Sequence, residues 1–343
     1  MRPDLSTRYL GLSLANPLVA AASPLTARLQ DLIQLEQSGV AAAVMMSLFQ
    51  EQIEEDDMNF QPARHVADFG QASEAVYVPR LDDYNCGPDS YLRHLEAAKR
   101  AVSIPIIASL NGSRPGRWTR FARLLEQAGA DALELNVYFI PTDPDTTGDD
   151  VEQRYVELVA AVRADCSIPL AVKLCNCFSS LPSMAQRLVA VGADGLVLFN
   201  RSLEPDIDLA TLTAHPRLIL SSRDELRSRL RWIGIVRRHL AVSLAGTGGV
   251  ESADDVIKLL SVGADVVMIA STLIRHGPQF ASVMLEDLSR WLQERRFESI
   301  DRLRGIAVAQ QFPDANGVER SNYMGAITAR TEHLREHGSR TTE

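Results

Sequence analysis

The residues of this 343-residue chain that could do chemistry cluster at the ends of short apolar runs. Gly246-Thr247-Gly248-Gly249 leaves one such run and opens a helical pattern at 252–261. Glycines there let backbone N–H groups approach a phosphate, and a helix N-terminus favours negative charge. Ala270-Ser271-Thr272 ends the next run and can add N–H and hydroxyl donors. Together the two segments predict a phosphate site. Lys173 lies inside the otherwise apolar stretch 169–174. An unpaired buried ammonium is costly, and three roles would remove the cost. Lys173 could face the anionic edge of a reduced cofactor ring, form a Schiff base with a substrate carbonyl, or pair with Glu134. Asn136 and Asn200 also end apolar runs, where an amide can bond a heterocyclic ring, a substrate amide or the core.

The elements that must position these residues alternate. Apolar runs at 18–22, 41–46, 106–110, 132–137, 170–174, 195–199, 242–245 and 266–270 read as buried parallel strands. Between them lie helical patterns at 117–127, 153–164, 182–191, 226–239 and 253–261. The repetition predicts an α/β fold, a (β/α)8 TIM barrel, over a doubly wound sheet. Gly129-Ala130-Asp131, Gly192-Ala193-Asp194 and Gly263-Ala264-Asp265 each end a helix and precede a strand. Glycine suits the left-handed position after a helix. Ser103-Ile104-Pro105 and Ser167-Ile168-Pro169 introduce the intervening strands, so the two styles alternate as a weak repeat of two βα units. One barrel domain is expected over 1–305, with a long loop insertion after strand two at about 50–88. That insertion opens with an acidic segment, 51–57, expected to form a solvated helix and serve as a lid, an oligomer contact or a decoration. A helical extension is expected at 306–343, with a turn at Asn316-Gly317 and a polar helix at 333–343.

A net charge of −9 argues against a nucleic-acid partner. Cys86, Cys166, Cys175 and Cys177 are too few for a disulfide framework and hold no C-x-x-C pair, so no metal is expected. With no signal-peptide pattern or membrane-length apolar run, the expectation is a cytoplasmic protein without a membrane partner. A homodimer is the prior for a soluble oligomer.

These residues resemble the dihydroorotate dehydrogenases, especially their soluble class, over about residues 8–285. The resemblance is carried by Asn16-Pro17-Leu18-Val19, Ala22-Ser23, Pro79-Arg80 with Asn85, Glu134-Leu135-Asn136, Val172-Lys173-Leu174, Asn200, Gly246–Val250 and 264–278. It implies FMN at the barrel mouth and oxidation of a small dihydropyrimidine, dihydroorotate to orotate in pyrimidine biosynthesis, by hydride transfer to the flavin. It further implies Gly248, Gly249, Ala270 and Ser271 at the FMN phosphate. Lys173 and Asn200 would lie at the ring and ribityl chain, Ala22 and Ser23 along the flavin, and Asn85 and Asn136 at flavin or substrate. Lys173, Asn136 and Tyr138 would be the catalytic group. An electron-transfer partner, fumarate or another oxidant would receive the electrons.

Three departures concern the reacting end. Met46 stands where the family has a lysine, and Phe139 stands at the position of the family's Cys or Ser base. Ser221-Ser222-Arg223-Asp224-Glu225 replaces a glycine-rich stretch after strand six. Tyr138, Cys175 and Cys177 are the nearby groups that could stand in as a base, though each has a structural reading. Two other functions stay open: a phosphate-binding barrel lyase or isomerase using Lys173, and a non-catalytic flavin-binding relative.

Overall fold

The computed structural model describes residues 2–58, 87–201, 205–216, 219–308, 323–325 and 328. A short antiparallel hairpin, β1 (Thr7–Tyr9) and β2 (Leu12–Leu14), comes first. The barrel strands follow: β3 (Leu18–Ala20), β4 (Ala42–Val44), β6 (Ile106–Gly112), β7 (Ala132–Val137), β8 (Leu170–Leu174), β9 (Gly195–Leu198), β12 (Ser243–Thr247) and β13 (Val266–Ile269). All pair in parallel, β13 joins β3, and β4 joins β6, so these eight strands close a barrel. A two-residue strand, β5 (Leu48–Phe49), extends the edge of β6. The hairpin β10 (Pro205–Asp208) and β11 (Thr213–Pro216) stands outside the barrel sheet. The described helices are α1 (Leu29–Gln37), α2 (Gln50–Met58), α3 (Gly87–Ala101), α4 (Phe121–Gln127), α5 (Gly148–Asp165), α6 (Leu181–Ala190), α7 (Leu226–His239), α8 (Ala253–Ser261), α9 (Ser271–His276), α10 (Phe280–Glu294) and α11 (Ile300–Leu303).

Strand alternation splits the apolar residues into two cores. Leu18, Ala20, Ile106, Ala108, Leu133, Leu135, Leu170 and Val172 belong to the larger one, shared with the surrounding helices. Val19, Val44, Ile107, Ala132, Ala171, Val197, Ala245 and Val266 belong to a smaller one with Tyr9, Leu10 and Leu14 of the first hairpin. Stepping two residues along β7 from Ala132 gives Glu134 and then Asn136, and along β8 from Ala171 gives Lys173. The polar residues of the site therefore share a strand face with the inner core.

The alternating repeat has a physical basis. Asp131, Asp194 and Asp265 each accept an N–H from the first or second residue of the preceding strand, from Ile106, Leu170 and Leu244 at 2.7–2.9 Å. Each also pairs with a basic residue of the helix that leads into that preceding strand: Lys99 of α3, Arg163 of α5 and Arg237 of α7. Gly129, Gly192 and Gly263 before them all have positive φ. At the other lead-ins, Ser103 and Ser167 donate N–H and hydroxyl to Glu36 and Glu126.

Some boundaries differ from the periodicity. The first turn of 117–127 is a 3-10 helix at Arg117–Arg120, ahead of α4. Helix α5 starts earlier than apolar spacing indicates because Thr147 and Asp150 form a capping box. The acidic segment is helical as expected, but α2 is only partly solvated. Gln50, Gln52 and Ile53 are buried, and the Gln50 side-chain carbonyl accepts from Ser113 N at 3.1 Å. Residues 59–86 of the insertion, the turn at 316–317 and the segment 333–343 lie outside the described residues. By backbone proximity the chain separates into two units, Met1–Ile306 and Ala307–Glu343. Among the described residues, no helix is long and apolar enough to cross a membrane.

Candidate active site

The C-terminal ends of the barrel strands surround a cavity of about 380 Å³, within the size range of small-molecule and cofactor sites. Ala22, Ser23, Asn136, Lys173, Asn200, Gly248, Ala270 and Ser271 line it. These are eight of the ten residues expected at a cofactor. Gly249, next to Gly248, is not among the lining residues, and Asn85 is outside the described residues. Of the expected catalytic group, Lys173 and Asn136 line the cavity; Tyr138 does not, and its N–H bonds Gly112 O at 3.3 Å.

Lys173 makes the anticipated pair with Glu134. Its Nζ lies 3.1 Å from Glu134 Oε1, with both side chains almost fully buried. It also reaches the cavity wall. The second oxygen of Glu134 is buried with no hydrogen-bond partner among the described residues. Asn200 Nδ2 donates to Asn136 Oδ1 at 2.7 Å, linking the ends of β9 and β7 across β8. The Asn200 Oδ1 is bonded to Arg201 N at 2.9 Å.

The loops after β12 and β13 lock together. Gly248 and Gly249 have φ of +91° and +76°, values that side chains with a Cβ rarely adopt. A Cβ on Gly249 would sit 2.7 Å from the backbone atoms Leu226 N and Ser222 O. Thr272 Oγ1 donates to Val250 O, tying the two loops. Ser271 Oγ receives Ser221 N at 3.0 Å and lies 2.9 Å from Ser221 Oγ, which draws in the segment after β9. Asp255, in the first turn of α8, accepts the N–H groups of Glu251 and Ser252 and pairs with Arg223 and Lys258. Burial pushes its carboxyl up, but these donors and cations outweigh burial and hold it below the usual 3.8.

Sequence reasoning missed Arg201, Glu225 and Arg229, which also line the cavity. The Glu225/Arg229 spacing of four was visible, but it looks like an ordinary surface helix pair. Only the packing of α7 against the barrel shows that Arg229 is buried.

The residues at the departures take different positions. Met46 lines the cavity. Phe139 is not among the lining residues; its ring packs on Tyr155 at 5.6 Å, with the Arg154 guanidinium 4.5 Å from its centroid. Cys175 and Cys177 are joined in a disulfide. That gives both cysteines the structural role and removes them as candidate bases, since a disulfide sulfur offers no thiolate. The spacing of two was the available signal. Among the described residues, no cluster of His, Cys, Asp or Glu could hold a metal ion.

The sequence model for dihydroorotate dehydrogenase matches residues 4–292. This chain belongs to the dihydroorotate dehydrogenase family. A relative in Thermoplasma volcanium, the catalytic subunit of dihydroorotate dehydrogenase B (NAD(+)), is 25% identical over 89% of this chain and 99% of its own length. The Listeria monocytogenes protein of the same name is 30% identical over 64% of this chain and 74% of its own. The NAD-dependent dihydropyrimidine dehydrogenase subunit PreA of Escherichia coli is 24% identical over 89% of this chain and 77% of its own. The family and the barrel together give this chain the scaffold of a dihydroorotate dehydrogenase-like oxidoreductase.

Proposed function

We propose that this protein is an FMN-dependent oxidoreductase acting on CH–CH groups of a dihydropyrimidine-like ring. The observation that carries the reading is the gathering of eight expected cofactor residues around one cavity. The residues present suit FMN. Gly248 and Gly249 carry their loop so close to Arg229, Ser222 and Leu226 that a Cβ at either would clash, and this close packing sets the loop backbone at the cavity edge. The Asn136–Asn200 amide pair offers hydrogen-bonding groups of the kind a flavin ring edge needs, and Lys173 brings a buried cation.

FMN, when bound, would supply a hydride acceptor for substrate oxidation. In this reading Gly248, Ala270 and Ser271 hold the phosphate, with Gly249 giving the loop its shape. Ala22 and Ser23 border the ring. Lys173 holds positive charge at its edge while Glu134 fixes the ammonium in place. Asn136 and Asn200 orient ring or substrate.

The substrate-facing positions favour a substrate related to, rather than identical with, dihydroorotate. Met46, at the cavity wall, is apolar, and Phe139, at the position of the family's base, can accept no proton and packs on Tyr155 outside the lining. Electron delivery to a partner subunit is supported only by the names of NAD-linked relatives. A lyase using Lys173 as a Schiff base is less favoured, because the Glu134 contact engages the Lys173 amine at 3.1 Å. Anaerobic titration of the FMN-loaded protein with a panel of dihydropyrimidines tests the reading. Bleaching of the flavin by one of them is expected, and bound FMN that none of them reduces would point instead to a non-catalytic flavin-binding relative.

A further inference from the structure

Charge around the cavity does not balance locally. Its charged lining residues are Lys173, Arg201, Glu225 and Arg229. Lys173 is neutralised by Glu134. The remaining two guanidinium groups share one carboxylate. Arg201 Nη1 donates to Glu225 Oε1, and Arg229 Nη2 donates to Glu225 Oε2 at 3.2 Å. Two cations on one carboxylate leave one positive charge uncompensated at the wall.

Arg229 is the better buried of the two, with its side chain 7% exposed. Its Nε donates to Thr247 O at 3.0 Å and its Nη1 to Glu225 O at 2.9 Å. A guanidinium has five N–H groups. Three are thereby used, and one on each Nη has no protein acceptor among the described residues. The group lies directly against the phosphate cradle, since a Cβ on Gly248 would come within 2.8 Å of Arg229 Nη2. Burial lowers its pKa, Glu225 opposes that, and the like charge of Arg201 adds to it. A ligand anion would relieve both of the unfavourable contributions.

Resting on the flavin reading above, we propose that Arg229 and Arg201, bridged by Glu225, are the charged part of the phosphate subsite. This chain would then recognise a phosphomonoester with a guanidinium pair in addition to loop N–H groups. The pair occupies the region where Ser221–Glu225 replaces a glycine-rich stretch, so side-chain charge takes over work that backbone donors would do there. Arginine suits it because the planar fork keeps its hold on Thr247 and Glu225 while presenting further donors.

The test is equilibrium binding of FMN and of riboflavin, which lacks the phosphate, to the full 343-residue chain, read by quenching of flavin fluorescence. The unsubstituted protein is expected to prefer FMN. Arg229→Gln should reduce that preference by about tenfold or more, the scale of a charged hydrogen bond, while riboflavin affinity changes much less. A merely structural arginine would weaken both ligands together, and an unchanged FMN-to-riboflavin ratio in a folded variant overturns the proposal. If Arg229→Gln does not fold, Arg201→Gln removes the same net charge from the more exposed end and should also lose the preference. Failure of the unsubstituted protein to bind either flavin would reject the flavin reading itself. Binding of both with equal affinity would reject the guanidinium subsite alone.

Discussion

At the scale of single residues, buried pairing determines what each substitution should do. Lys173 and Glu134 are both buried, so Lys173→Met strands a carboxylate whose second oxygen already lacks a partner among the described residues. A loss of about 3–5 kcal/mol is expected, measurable by denaturant unfolding, and adding Glu134→Gln should recover much of it. Gly249→Ala forces a Cβ to within 2.7 Å of two backbone atoms at a positive φ. It should shift the cradle and weaken FMN binding more than Gly277→Ala, where positive φ is also strained but no atom lies within 4 Å. Phe139→Cys should raise the rate of anaerobic flavin reduction by dihydroorotate, because a general base is typically worth about 10²–10⁴-fold. An unchanged rate would contradict the assignment of position 139 as that of the lost base.

At the scale of elements, the anchoring of α8 links the phosphate loop to stability. Asp255 is buried, and its folded-state pKa is depressed below 3.8 by the N–H groups and cations around it, against the push of burial. A depressed carboxylate contributes stability that is fully present above its unfolded pKa and is lost as pH falls through the folded value. Unfolding midpoints measured from neutral pH to below about 4 should therefore fall on the acid side, and Asp255→Asn should flatten part of that fall while lowering stability at pH 7. The strand runs, the glycine turns and the aspartates following them were legible in the sequence because each is set by local spacing. Strand-face alternation likewise made Lys173–Glu134 a foreseeable pair. The Arg201–Glu225–Arg229 bridge was not legible, since it joins the end of β9 to the start of α7 and depends on burial created by the barrel. The buried face of α2 was hidden for the same reason: Gln50 reads as solvated until Ser113 is brought beside it.

At the scale of the whole molecule, the barrel separates a closed apolar interior from a polar mouth. Tyr9 and Leu14 belong to the inner core, while Asn136, Lys173 and Asn200 meet at the cavity. A ligand that binds only the folded chain must stabilise it. At a hundredfold excess over its dissociation constant, FMN should add about 2.7 kcal/mol, read as a rise of several degrees in Tm, and riboflavin should give less. The overall charge of −9 opposes anion capture at long range, so FMN affinity is expected to increase modestly with added salt before screening weakens the cavity contacts. The most direct measurement of the central claim is the visible absorbance spectrum of the full-length protein after incubation with FMN and removal of free ligand. A yellow protein retaining stoichiometric flavin is the predicted result; a colourless protein that takes up no FMN would contradict it.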